Sequence, residues 1–219
     1  MVNHNRQRRL VIRLAIMILL VVVLVAFRFV GDIGQEKHPN ERFIVVSVKD
    51  GDTFTMTGGD KVRLLSMDTP EKGEPFYDEA TRLLSDLVLG EEVHLEFATK
   101  RRDKYGRLLG YVYVDSLFVN RAILENGLAN LYLFKDTDLD REETNILLGA
   151  QRLALERKVG LWSLEREKED YYVARPGSFR FHRPGCGNLR RSNSQADRLF
   201  DHRREALWEG LSPCRRCRP

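Results

Sequence analysis

Three acids fall close together in a stretch that otherwise reads as strand. Asp52 ends "VKDGD", and Asp68 and Glu71 lie in "MDTPEKGE". Held near one another, they are a costly cluster of like charges unless a cation sits among them. Carboxylates and a backbone carbonyl are hard oxygen ligands, a set that suits calcium or magnesium rather than zinc. Pro70 bars helix at Thr69 and fixes the turn. Two arginines accompany the acids: Arg63, five residues before Asp68, and Arg107, which closes "KRRDKYGR". Their forks match phosphate oxygens in bidentate fashion. Together these groups are what hydrolysis of a phosphodiester needs: metal to neutralise charge, base to activate water, arginines to hold the developing charge. A Ser-His-Asp triad has no support, since His94 is the region's single histidine and sits on an alternating strand, where partial burial is the simpler reading. Asp50-Gly51 is also a strong hairpin signal, so a tight turn explains part of the same stretch.

A second set of ligands lies at the other end of the chain. All three cysteines are there, in His182-x3-Cys186 and Cys214-x2-Cys217. Four N/S ligands at these spacings suit a tetrahedral structural zinc. Residues 171–219 hold few apolar side chains and need such a staple to fold. A Cys214–Cys217 disulfide is the competing reading, and His202 is the substitute ligand should His182 not serve. "DHRREALWEG" reads as a short helix, with Asp201 as its cap and Gly210 as its stop.

Elements must hold these groups in place. From Phe43 the chain breaks into short strands: "FIVVSV", "TFTMT" up to Gly58-Gly59, "KVRLL", "EVHLEF" and "LLGYVYV". In "KVRLL", Val62 and Leu64 fall on one side and Arg63 on the other. Three stretches read as helices. "PFYDEATRLLSDLVLG" has Pro75 in its first turn and stops at Gly90; "NRAILENGLA" ends at Gly127; "REETNILLGAQRLALERKVGLW" is longer and amphipathic. This irregular order argues against a doubly wound parallel sheet and fits a small barrel with added helices.

The N-terminus has a different composition. "LAIMILLVVVLVAF" holds 14 residues without a polar group. Counted from Leu10 to Val30, with Arg13 and Arg28 snorkelling, a helix there reaches about 31 Å and can cross a bilayer. Arg6, Arg8, Arg9 and Arg13 precede any acid, which holds the N-terminus in the cytoplasm and sends the remainder across. A cleaved signal peptide and a buried core helix are the other readings. Net charge divides the rest: −5 over residues 41–163 and +7 over residues 171–219, where every base is arginine. An acidic middle and a basic end suggest two modules, the second attracting nucleic-acid phosphates.

"VKDGDTF", "VRLLSMDTPE", "DKYGRLLGYVYV", "ILENGLANL" and "GLWS", in this order, resemble the thermonuclease, or staphylococcal-nuclease-like, family over residues 43–163. The resemblance implies an α+β domain, mainly β, with a five-stranded OB barrel and three helices, and calcium-dependent cleavage of DNA and RNA. It implies that Asp52, Asp68 and the Thr69 carbonyl bind calcium. Glu71 would position or deprotonate the attacking water, Arg63 and Arg107 would stabilise the transition state, and Asp50 would support the site. Lys104 and Tyr105 match the substrate-contacting turn; Tyr132 and Phe134 both stand where a base-stacking aromatic is expected. The C-terminal segment resembles small Cys-rich zinc modules, including the metal-binding domain of the Ada DNA-repair protein, with His182 in place of a cysteine.

The expected organisation is therefore a cytoplasmic basic tail (1–9), a transmembrane helix or signal anchor (10–30), a linker (31–40), the nuclease-like domain (41–163), a second linker (164–174) and a Cys/His zinc-binding module (175–219). The expected protein is a single-pass membrane nuclease acting on DNA or RNA outside the cytoplasm, or a secreted one if the N-terminal segment is cleaved. The rival class is a membrane-anchored OB barrel that binds nucleic acid or protein without cutting; an anchor that recruits a partner through the zinc module is a third.

Overall fold

The computed structural model describes Met17 and residues 43–135, 142–189 and 197–219, without the side chain of Ala98. The larger region carries a mixed sheet. Strands β1 (Val45–Asp50), β2 (Thr53–Met56) and β3 (Lys61–Leu64) form an antiparallel meander. Between β3 and the next long strands come β4 (Met67–Asp68) and helix α1 (Tyr77–Val88). β5 (His94–Arg102) and β6 (Leu108–Val114) pair antiparallel, and β6 lies parallel to β3. The pairing order is β1-β2-β3-β6-β5, with β7 (Leu117–Phe118) beside β6. These five strands are the expected ones; their ladder among the described residues runs from β1 to β5, and its two ends are joined by isolated bridges, Ile44 to Glu92 and Val45 to Leu89, rather than by a ladder that would close a barrel.

Alternation explains the core. In β2 and β3, Phe54, Met56, Val62 and Leu64 point inward and are almost wholly buried, while Arg63 turns the other way. Helix α1 closes one side with Ala80, Leu84 and Val88. Its start differs from expectation: Phe76 takes the N-cap place with a φ of 67°, so Pro75 precedes the helix. Helix α2 (Val119–Glu125) and helix α3 (Glu142–Arg157) pack on each other, followed by a 3-10 turn at Gly160–Ser163. Gly127 and Gly160 meet so closely that a Cβ on Gly127 would lie 2.2 Å from the Val159 carbonyl oxygen. His94 is exposed rather than partly buried, and faces Tyr113.

A second sheet occupies the C-terminal region, in the order β11-β9-β10-β12. Its strands are β9 (Tyr172–Ala174), β10 (Arg180–His182), β11 (Arg198–Phe200) and β12 (Ser212–Pro213), with helix α4 (Arg203–Trp208) before the last. β9 falls inside the stretch expected to be a linker and is instead an inner strand of this sheet. His202, not Asp201, takes the N-cap place of α4, and the Glu205 carboxylate accepts from the N–H groups of Asp201 and His202.

The expected membrane span, residues 10–30, lies outside the described residues apart from Met17. Among the described residues no helix is long and apolar enough to cross a membrane. The longest, α3, has 16 residues of mixed polarity, where a span needs about 20 apolar ones. The single-pass, extracytoplasmic placement is corrected on that finding.

Candidate active site

The β1–β2 hairpin turns on Gly51-Asp52, with Asp50 opposite Thr53. Both readings of that stretch therefore hold: it is a tight turn, and it presents Asp52. Gly51 is required by packing, since a Cβ there would lie 2.6 Å from the Ala80 Cβ on α1 and 3.1 Å from the Thr69 side chain.

Asp52 is 7% exposed and fully partnered. Its carboxylate accepts from the Thr53 hydroxyl at 2.8 Å and from the Thr69 hydroxyl at 3.1 Å. Arg63 Nη1 forms a close ion pair with Asp52 Oδ2. The same guanidinium reaches Asp68 Oδ1 at 3.1 Å and the Met67 carbonyl at 3.2 Å. Burial alone would raise the Asp52 carboxyl, but the Arg63 charge and the hydrogen bonds outweigh it and hold the group below the usual carboxylate range. Arg63 is raised in return, the Asp52 charge overcoming its own desolvation. Asp50 goes the other way, pushed up by burial and by the negative charge of Asp52, although its carboxylate accepts from the Asp52 N–H at 3.3 Å.

Arg107 joins this group through Thr53. Its Nη1 donates to Thr53 Oγ1 at 3.3 Å, and its Nε to Asp103 Oδ2 at 2.8 Å. Asp103 also accepts from the backbone N–H groups of Tyr105 and Arg107, which fixes the β5–β6 turn. Tyr105 is 71% exposed at its tip, with Lys104 Nζ 4.9 Å and the Arg107 guanidinium 5.6 Å from its ring centre. Glu71 is exposed on the loop after Pro70, where its N–H donates to Glu74 Oε2 at 2.9 Å. Tyr132 lies under Arg180, 3.4 Å from its guanidinium, whereas Phe134 is 53% exposed.

Sequence reasoning missed two participants. Thr53 links Arg107 to Asp52, and only its position beside Asp52 signals it. Arg215 comes from the far end of the chain: its Nε donates to Asp68 Oδ2 at 3.1 Å, and its Nη2 pairs closely with Asp68 Oδ1.

The second ligand set converges as its spacing predicts. The ligand atoms of His182, Cys186, Cys214 and Cys217 all lie within 4.8 Å of one another. The cysteines are free thiols, and His182 Nδ1 is buried without a hydrogen-bond partner. Burial, helped by Arg175 and Arg180, lowers His182 and favours the neutral imidazole that a metal needs. Burial and its two cysteine neighbours push Cys217 up to about 12, while backbone N–H groups and Asn188 lower Cys214. His202, the substitute ligand, stands outside this cluster, at the head of α4.

The structure is thus an α+β frame that gathers two carboxylates on one arginine fork beside a basic turn. Residues 61–164 match the staphylococcal nuclease homologue family, and the chain belongs to it. A protein of Haemophilus influenzae named as an uncharacterized endonuclease is 35% identical over 150 residues, 67% of this chain and 78% of that one. Thermonuclease of Staphylococcus intermedius is 28% identical over 155 residues, covering 64% of this chain and 90% of its own. Endonuclease YncB of Bacillus subtilis is 41% identical over 92 residues, 37% of this chain and 44% of its own.

Proposed function

We propose that this protein is a calcium-dependent nuclease that hydrolyses phosphodiester bonds of DNA or RNA. The observation that carries the reading is the convergence of Asp52 and Asp68 on the single Arg63 fork, tied through Thr53 to Arg107. Two carboxylates that share one guanidinium are close enough to share a cation, and the donor set is oxygen only, as calcium prefers. Asp52, Asp68 and the Thr69 carbonyl would hold it; bound there, calcium would neutralise phosphate charge and lower the pKa of a bound water.

The chain's own residues do the rest. Glu71 orients a water and accepts its proton as the oxygen attacks phosphorus. Arg63 and Arg107 hold the charge that develops on the non-bridging oxygens, and Asp103 keeps the Arg107 fork in plane. The bond from phosphorus to the leaving oxygen breaks, and that oxygen takes a proton from solvent. Lys104 and Tyr105 lie along the path of the strand, one as a phosphate partner and one as a stacking surface. His182, Cys186, Cys214 and Cys217 would hold a zinc that staples residues 171–219, since their N/S donor set suits that metal.

The test is cleavage of DNA and RNA by the purified chain with calcium and with a calcium chelator. Cleavage that depends on calcium and disappears in Asp52→Ala supports the reading; full activity in chelator removes the calcium site. A parent that binds DNA and never cuts it is the non-catalytic OB-fold alternative. Metal analysis of protein purified without added metal checks the module, with about one zinc per chain expected.

A further inference from the structure

We propose that Arg215 is a third phosphate-binding arginine of the active site, delivered by the C-terminal module, and that the metal held by His182, Cys186, Cys214 and Cys217 fixes it there. The inference rests on the nuclease reading above and adds a residue and a dependence to it.

Placement comes first. A cleft of about 540 Å³ opens between the two regions; Asp68, Glu71 and Glu74 line one wall, and Cys214, Arg215 and Arg218 the other. Arg215 sits between two metal ligands in "CRRC". The Arg218 N–H donates to the Cys214 carbonyl at 2.8 Å, so the loop is a closed turn. The Arg215 backbone therefore moves only if the ligand cluster moves.

Direction comes next. Of the three arginines in "CRRCR", only Arg215 reaches the carboxylates of the candidate site. Arg216 points back to Asn188 Oδ1, at 3.4 Å, and lies over Gly187. Arg218 pairs with Glu74 Oε1 at 2.8 Å. Arg215 presents Nε and Nη2 to the two oxygens of Asp68, a bidentate geometry that fits two phosphate oxygens equally well. Its guanidinium lies 5.1 Å from the Tyr132 ring centre, which steadies the plane of the fork.

Charge then decides the role. Asp68 serves both Arg63 and Arg215, so one carboxylate faces two guanidiniums. A divalent cation taking the Asp68 oxygens would leave the Arg215 fork without its acid, facing the cleft. Glu71 and Glu74 also line that cleft, but Glu74 is paired with Arg218, so the freed fork stands open to a phosphate of a bound strand beside Glu71. An inhibitory latch is the opposite reading. The Arg215 side chain is 56% exposed, and an ion pair of that kind shifts an equilibrium by roughly fivefold or less, too little to keep a divalent cation out.

The experiment uses the full chain carrying Glu71→Gln, so that DNA is bound and cut ~10²–10⁴-fold more slowly than by the parent, slowly enough for the binding measurement. Affinity for a short duplex is measured in calcium across a salt series, alone and with Arg215→Ala, Arg216→Ala or Cys217→Ser. Arg215→Ala is expected to weaken binding about tenfold and to flatten the slope of log affinity against log salt by about 0.9, one phosphate contact. Arg216→Ala, the charge-matched control, should leave both within about twofold. Cys217→Ser should reproduce the Arg215→Ala loss, and the double variant should lose no more than either single one. Unchanged affinity and slope in Arg215→Ala overturn the proposal. So does unchanged DNA binding with a lower calcium requirement, which is the signature of a latch. Arg215→Ala weakening binding while Cys217→Ser does not overturns the metal dependence. Thermal melting of Arg215→Ala should match the parent, because the side chain is exposed. Cleavage by the chain with Glu71 intact separates the two readings: if it cuts in calcium while Arg215→Ala is silent, only this inference falls; if it never cuts, both fall.

Discussion

The two regions hold their reactive groups by opposite means. In residues 43–164 the acids and arginines hang on a frame that stands without them. Phe54, Met56, Val62, Leu64, Tyr111 and Ile123 are all but fully buried, and the site residues sit on the strands and turns they anchor: Arg63 on β3, Asp68 on β4, Asp52 and Arg107 at turns. In residues 171–219 the reactive groups are the frame. The apolar cluster there gathers Tyr172, Ala174, Phe181, Phe200, Ala206, Leu207 and Leu211, and it is completed by Ala154, Leu155, Leu161 and Trp162 from the larger region. On this contrast the first region is expected to lose a carboxylate and keep its fold, and the second to lose its fold with a ligand. Cutting the chain at residue 171 is therefore not a clean test of what the module does, because it strips cover from Leu161 and Trp162.

That contrast breaks most visibly at the metal ligands, where the largest effect is expected. Structural zinc supplies an apparent ~10–16 kcal/mol in small peptides, which at the proposed His/Cys site would be folding energy for the module. Cys217→Ser should raise amide exchange in β9, β10 and β12 by about 10³-fold or more, while β1 to β6 keep their protection. Exchange that rises equally in both regions would show one cooperative unit and end the comparison.

Glu71→Gln is the matching test in the larger region. It keeps the shape and removes the base, so turnover should fall by ~10²–10⁴ with melting and DNA affinity held. Arg107→Lys should cost somewhat less, ~10²–10³, since the charge stays and the fork facing Thr53 and Asp103 is lost. Parent-like turnover in both variants would remove the assigned site. A fall in melting temperature matching the fall in rate would show that these groups are framework after all.

The same contrast governs what the sequence makes legible. Asp52, Arg63 and Asp68 lie within 17 positions, on a hairpin and the strand end beside it, so their meeting follows from period-two alternation and turn chemistry. Thr53 is hidden only because a threonine in a strand has ordinary reasons to be there. Arg215 had no local signal: it reaches Asp68 across 147 positions, and only the docking of the module brings it there. β9 was masked as a linker because three residues beside a charge run are too few to show a period. Spacing picks out the metal cluster with His182 as its fourth ligand and His202 as the substitute; β10 carries His182 into the cluster and α4 keeps His202 at its head. The apolar N-terminal stretch falls almost wholly outside the described residues.

The smallest expected effect tests the seam between the regions. Gln151 is fully buried on α3 and uses both ends of its amide. Its Oε1 accepts from the Leu131 N–H at 2.7 Å, and its Nε2 donates to the Leu207 carbonyl at 2.8 Å. Leu131 belongs to the short strand β8 (Asn130–Leu131), which pairs with β4 and so stands behind Asp68. Leu207 belongs to α4. One side chain thus satisfies a backbone donor in one region and a backbone acceptor in the other. Gln151→Leu keeps the volume and takes the partner from the Leu131 N–H, at about 1–3 kcal/mol, while the Leu207 carbonyl keeps the Gly210 N–H at 3.0 Å. If the module leans on the larger region, as their shared apolar cluster implies, the loss should appear in denaturant unfolding as a lower midpoint, and exchange should rise more in α4 than in β1 to β3. Turnover at saturating DNA should stay within about twofold, because Asp52, Arg63 and Arg107 are held by other contacts. A drop in turnover larger than the drop in stability would place Gln151 in the support of Asp68, and the seam would then belong to the active site rather than beside it.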